Sequence, residues 1–153
     1  MRAINHALTG ASVGIISGKP AVAIPLALVS HYICDIIPHY GAGTSEAEEL
    51  NSTIFRKLLV IDVSLCATLV VVLVLFHPQF WFLAAICAFV ATSPDLISIN
   101  RYRFARRGKL SKPNRYVSFA KNIQLFEKPI GAVVEITWFA AMVIILLPFF
   151  HHR

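Results

Sequence analysis

Residues 58–76 read LLVIDVSLCATLVVVLVLF, an apolar run interrupted by a single acidic side chain, Asp62. A helix needs roughly 20 such residues to cross about 30 Å of hydrocarbon, and this run reaches that length. Residues 130–150 repeat the pattern, broken only by Glu135. Between them, His77-Pro78 leaves room for no more than a tight hairpin, so residues 80–99 are expected to return antiparallel to 58–76. Composition agrees: 57% of the 153 residues are hydrophobic and the mean hydropathy is +0.68, more than a soluble core of this size uses. The excess has to face lipid.

The whole chain reads as one all-α transmembrane domain with spans at about 3–18, 21–37, 58–76, 80–99 and 129–150. Gly10, Gly14 and Gly18 recur every four residues in the first span, which lets another backbone approach closely. The same glycines, with His6 placed early, argue against a cleaved signal peptide. Pro38 disfavours helix at the residue before it and closes the second span. Ser45 and Glu48 have the spacing of a capping box for a short helix. Val117, Ala120, Ile123 and Phe126 keep near-helical spacing among basic residues and predict an interfacial helix before the last span.

Of the 14 Lys and Arg residues, all but Lys19 and Arg153 fall on one side of this topology. That side is expected to be cytoplasmic, with the amino terminus there, as in a multi-pass protein of the inner membrane. The net charge of +6 is confined to loops, where it touches anionic headgroups, and no stacking platform accompanies it, so nucleic acid is not an expected partner. Cys34, Cys66 and Cys87 are odd in number, lie in apolar segments and lack metal-type spacing; they read as free thiols.

Placed in the alternating topology, His6, His31, Asp35, Asp62, Asp95 and Glu135 all lie toward the cytoplasmic face, with His39 and Glu127 just outside their spans. A charge deep in a span costs about 2.5–3.5 kcal/mol on the lenient insertion scale, so such a gathering needs compensation. A bound cation supplies it; snorkelling to water or pairing with nearby arginines is the alternative.

The sharpest pattern is His31-x3-Asp35-x2-Pro38-His39. Residues four apart share a helix face, so His31 and Asp35 point at one ion, while the proline ends the helix and lets His39 turn back toward it. Mixed nitrogen and oxygen donors suit zinc, or manganese or iron, better than calcium or magnesium. His6 and Asp95 are further candidate ligands, or else caps and supporting partners. Glu127 and Glu135 are candidates for a further ligand or a catalytic base. Asp62 reads as the partner of an arginine, and Ser93 as a hydroxyl bonded to backbone rather than a nucleophile.

At Asn5-His6-Ala7-Leu8-Thr9-Gly10, at Ser30-His31 through Asp35 to Pro38-His39, and at Ser93-Pro94-Asp95, the chain resembles small bacterial and archaeal inner-membrane proteins described as predicted membrane-bound metal-dependent hydrolases, the DUF457 or YdjM-like group. Ile123-Gln124-Leu125-Phe126-Glu127 is similar to another polar element of these proteins. The second motif is also similar to, but shorter than, that of zinc-dependent phospholipase C, whose further histidines have no counterpart here. The resemblance implies a metal-activated water attacking an ester or phosphoester, with a membrane lipid as one substrate class. A cation- or proton-binding transporter and a non-enzymatic membrane scaffold are the rival expectations.

Overall fold

A computed structural model describes residues 1–41, 43–97, 99–105, 114–124 and 126–150. Arg106, Arg107, Lys109 and Lys112 of the basic loop, Leu125, and His151, His152 and Arg153 at the carboxyl end lie outside the described residues. Among the described residues all regular structure is helical, apart from one isolated backbone bridge between His39 and Glu127.

The first helix, α1 (Ala3–Ser17), ends where Gly18 takes the left-handed conformation (φ 58°) and its N–H returns to the Gly14 carbonyl at 3.1 Å. Only glycine does this without strain. Lys19 is extended and Pro20 opens α2 (Pro20–Ile36), whose end is set by Pro38: Ile37 is pushed into extended backbone. The capping box forms as expected over α3 (Glu46–Asn51), with the Glu48 N–H donating to Ser45 Oγ and the Ser45 N–H to Glu48 Oε2 at 3.0 Å. The Ser45 hydroxyl and N–H hold the Glu48 carboxyl below the usual carboxylate range.

Next comes α4 (Thr53–Phe76), five residues longer at its start than the apolar run, because Ser52 Oγ accepts from the Phe55 N–H at 2.9 Å and caps it early. The hairpin follows at once, with His77 and Phe80 at positive φ, and α5 (Trp81–Ile97) runs on toward α6 (Ile99–Ala105). Asn114 caps α7 (Arg115–Ile123), which forms where a helix was expected but stops short of Phe126; α8 (Gly131–Leu146) follows, with a 3₁₀ turn over Leu147–Phe150.

Helix α1 is the hub: α5, α2, α8 and α4 all pack on it. The glycine face is what permits this. A Cβ on Gly10 would run into the Cys87 carbonyl oxygen and stand 2.7 Å from Ala91 Cβ, and one on Gly14 would stand 2.7 Å from Ala84 Cα. The expected close backbone approach is therefore made by α5. Around the hub sit Ala7, Ala11, Ile15, Leu73 and Ala84 as a dry core.

By length and composition, three stretches can cross a membrane: Thr53–Phe76, Trp81–Ala105 and Gly131–Phe150. Only 17% of the apolar window is buried in the first and 11% in the last, which leaves Val60, Val63, Leu75, Ile136 and Ile144 facing outward. Surface of that kind suits contact with hydrocarbon. The remaining two expected spans are shorter: α1 has 15 residues and α2 has 17, about 22 and 25 Å at 1.5 Å per residue.

Candidate metal centre

Three helices bring ionisable side chains to one point. Helix α1 carries His6, α2 carries His31 and Asp35 one turn apart, and α5 carries Asp95 just past Pro94. One donor atom each from His6, His31 and Asp95 lies within 4.8 Å of the others. Asp35 touches both histidines: its Oδ1 is 3.1 Å from His6 Nε2 and its Oδ2 is 3.4 Å from His31 Nε2.

The local chain explains each position. The four-residue spacing of His31 and Asp35 puts both on the buried side of α2. Pro94 has no N–H to give the Val90 carbonyl, and Ser93 Oγ fills the vacancy at 2.8 Å. Ser93 is thus bonded to backbone, as its place at a helix end suggested. His31 Nδ1 lies 2.8 Å from the Ala91 carbonyl oxygen, which can only accept, so the proton is on Nδ1 and a lone pair stands on Nε2 facing Asp35 and, at 3.9 Å, Asp95 Oδ1. A backbone carbonyl fixing the far nitrogen of an imidazole is the usual support of a metal-binding histidine.

His6 is fully buried; its Nε2 is in contact with Asp35 Oδ1, and its Nδ1 completes no hydrogen bond among the described residues. Such a group is costly to leave unsatisfied, by about 1–3 kcal/mol. Its ring stacks on that of His31, centroids 4.1 Å apart. Asp35 is held from two further directions, by Gln124 Nε2 at 3.2 Å and by the Met1 amino group at 2.6 Å. Asp95 is the open member, its side chain 44% exposed. Tyr116 of α7 donates to the Pro94 carbonyl beside it at 3.3 Å, and burial, then the Tyr32 hydroxyl, pushes the Tyr116 phenol above its ordinary range, so it remains a donor.

Two imidazoles, one of them oriented by a backbone carbonyl, and two carboxylates make a donor set that fits a borderline cation such as Zn²⁺. With both imidazoles neutral the four side chains carry two negative charges, one of them already offset by the Met1 ammonium on Asp35, so a cation is accommodated without repulsion. The His6, His31 and Asp95 group could hold a metal ion.

Three expected participants lie elsewhere. His39 does not turn back: the extended backbone that Pro38 imposes carries it on to pair with the segment before α8, where the His39 N–H donates to the Phe126 carbonyl and the Lys128 N–H to the His39 carbonyl at 3.1 Å. Its Nδ1 is bonded to the Ile37 carbonyl and its Nε2 faces Glu127 Oε1 at 3.4 Å. Gly131 makes this crossing possible, since a Cβ there would overlap the His39 carbonyl. Glu127 thus faces His39 rather than the group around His6. Glu135 accepts the Arg2 N–H at 2.9 Å on Oε1, and its own carbonyl accepts from Asn5 Nδ2. Asp62 does pair with an arginine, Arg2 Nε at 3.0 Å. Gln124 belongs to the polar element Ile123 to Glu127, whereas the Ala91 carbonyl and the Met1 amino group, being backbone groups, carry no sequence signal of their own.

Fold and site together define an all-helical protein with three stretches long and apolar enough to cross a membrane and a histidine and aspartate group that could hold a metal ion. No family model, no curated protein and no solved structure matches the chain.

Proposed function

We propose that the chain is a membrane-embedded metal-dependent hydrolase of the DUF457 or YdjM-like kind, acting on an ester or phosphoester at the level of the lipid headgroups. The observation that carries this reading is His6, a fully buried imidazole with Nε2 on Asp35 and Nδ1 unsatisfied, stacked on a second imidazole among two carboxylates. His6, His31 and Asp35 are the buried donors and Asp95 the accessible one. A divalent cation, zinc above all, supplies Lewis acidity and lets water act as a nucleophile near neutral pH. Asp95, the accessible member, would hold the metal through one carboxylate oxygen, take a proton from the attacking water on the other, and return it to the leaving oxygen as the ester bond breaks. Gln124 keeps Asp35 oriented, and the Ala91 carbonyl keeps the His31 lone pair pointed inward.

Five crossings are supported by α2, whose Val22, Leu26, Val29, Ile33 and Ile36 form an exposed apolar stripe with helical spacing. Helix α1, enclosed by its neighbours, needs no lipid-facing length of its own. The Lys and Arg bias puts the amino terminus and the donor group on the cytoplasmic side of the inner membrane. A transporter is disfavoured because, beyond the donor group, α1 and α5 meet backbone to backbone at Gly10 and Gly14, leaving no room for a polar path.

Elemental analysis of the purified protein tests the reading. Stoichiometric divalent metal is expected in the wild type and its loss in the His31→Ala, Asp35→Ala double variant. Metal-free wild type, or a double variant that keeps its metal, overturns it.

A further inference from the structure

On the other flank of α1 lies a second feature that the metal reading does not use. Helices α4 and α8 both pack on α1 but scarcely on each other, and a groove of about 470 Å³ runs between them. Ile4 and Leu8 floor it, while Leu69 and Val72 of α4 and Phe139 and Val143 of α8 form its walls. Phe76 against Phe150, ring centroids 5.9 Å apart, closes one end. The single polar wall residue, Thr68, spends its hydroxyl on the Ser64 carbonyl. Because both walls belong to helices of membrane-crossing length, the groove faces hydrocarbon.

At its other end the groove continues into a cavity of about 460 Å³ that shares Ile4, Leu65 and Phe139 with it and is lined by Arg2, Asn5, Asp62 and Glu135. Each volume falls in the range of about 300–1,000 Å³ usual for small-ligand sites. From Phe76 to Asp62 the path along α4 is about 21 Å, longer than the about 15 Å of one hydrocarbon leaflet. None of His6, His31, Asp35 or Asp95 lines either part.

The polar end has a sign. Arg2 is spent on Asp62 Oδ2 and on the Leu58 carbonyl. Asn5 Oδ1, on a residue 99% buried, is an acceptor with no hydrogen-bond donor; the Asp62 carboxylate, on a residue 93% buried, meets Arg2 and the backbone N–H groups of Ala3 and Ile4, and its Oδ1 completes no well-formed bond. Two carboxylates stand against one guanidinium. What is missing is a cationic group rich in N–H. A helix of a second copy could fill the apolar part but brings no free backbone donors, since its own are paired internally.

We infer that this groove is a binding site for a membrane phospholipid with a primary-ammonium headgroup: one acyl chain lies between α4 and α8, and the ammonium donates to Asp62 and Asn5. The site stands independently of the metal reading.

The full chain, delipidated in detergent, is titrated with ethanolamine-, choline- and glycerol-headed phospholipids of identical acyl chains and followed by native mass spectrometry. The ethanolamine lipid is expected to bind about fivefold or more tightly than the choline lipid, which has no N–H, a ratio matching one net hydrogen bond. Asp62→Asn abolishes that preference but keeps chain binding. Val143→Trp, or Val72→Phe from the opposite wall, fills the groove and removes all three lipids. Equal binding of the three headgroups by the wild type, or undiminished binding by a folded groove-filling variant, overturns the inference. So does a disulfide between Val72→Cys and Val143→Cys on two different chains, which would seat a second copy there. Should the filling variants not fold, the headgroup ranking of the wild type decides alone.

Discussion

The imidazoles of His6 and His31 stack with centroids 4.1 Å apart and an interplanar angle of 30°, although 25 residues of chain separate them. Both lie in the protein interior. Two imidazolium ions at that distance repel strongly away from water, so at least one ring is neutral and offers a lone pair. A cation between the rings and the carboxylates of Asp35 and Asp95 turns this arrangement from a liability into an attraction.

Metal retention should follow the geometry rather than the sequence motif. His6→Ala and His31→Ala are expected to lower bound metal at least about tenfold, the scale of losing one ligand or its support. His39→Ala and Glu127→Ala should leave it unchanged, because these two face each other away from the group. Mass-spectrometric metal analysis of the four purified variants decides; loss in His39→Ala would return that residue to the site.

Acid should release the metal. Ligating imidazoles must be unprotonated, and a free imidazole takes up its proton near pH 6.5. Occupancy is therefore full above that range and falls as the pH drops through it. Dialysis at pH 8 and at pH 5, followed by elemental analysis, reads this directly, and pH-independent retention would speak against histidine ligation.

Arg2 and Asp62 form a pair that is mostly buried, with side chains 19% and 10% exposed. Removing one partner leaves the other charged and unpaired at a bilayer-facing cavity. Arg2→Ala is expected to destabilise by about 3 kcal/mol, whereas the double change Arg2→Leu, Asp62→Leu costs much less. Unfolding in mixed micelles measures both; additive effects of the two single changes would show that the pair is uncoupled.

The α1 and α5 interface leaves no room for a side chain. Gly10→Ala puts a methyl on the Cys87 carbonyl oxygen, where the obstacle is backbone and cannot swing away. A loss of about 1–3 kcal/mol is expected, with a fall in metal content because His6 and Asp95 are displaced together. A neutral Gly10→Ala in thermal unfolding contradicts the packing described.

Helix α3 should respond to its capping box. The Glu48 carboxyl is held below its ordinary range by Ser45, so its contribution to α3 is present above the unfolded value, about 4.3, and is lost as pH falls through the lowered one. Ser45→Ala removes the same contribution at any pH. Hydrogen exchange of the Glu48 and Glu49 amides is expected to accelerate in both cases, with the Met1 to Gly18 region unaffected.

The hairpin at His77, the box at Ser45 and the helix ends at Gly18 and Pro38 were legible because each depends on residues within a few positions. The apolar length of residues 58–76 and 130–150 likewise announces hydrocarbon without any knowledge of neighbours. His39 marks the limit. Proline's effect on the preceding residue was readable, but where an extended segment goes next depends on what it meets, here the backbone of Phe126 to Lys128.

What the amino-acid order settled by itself is an all-helical chain with membrane-crossing helices whose polar residues gather toward one end, since length, periodicity and apolarity are properties of single segments. Which of those polar residues meet was decided only by the packing of α5 against the glycines of α1 and of α2 against both helices. A helix rotated by one residue turns a side chain by about 100°, enough to take His6 from the cluster to the groove, and no local pattern encodes that angle.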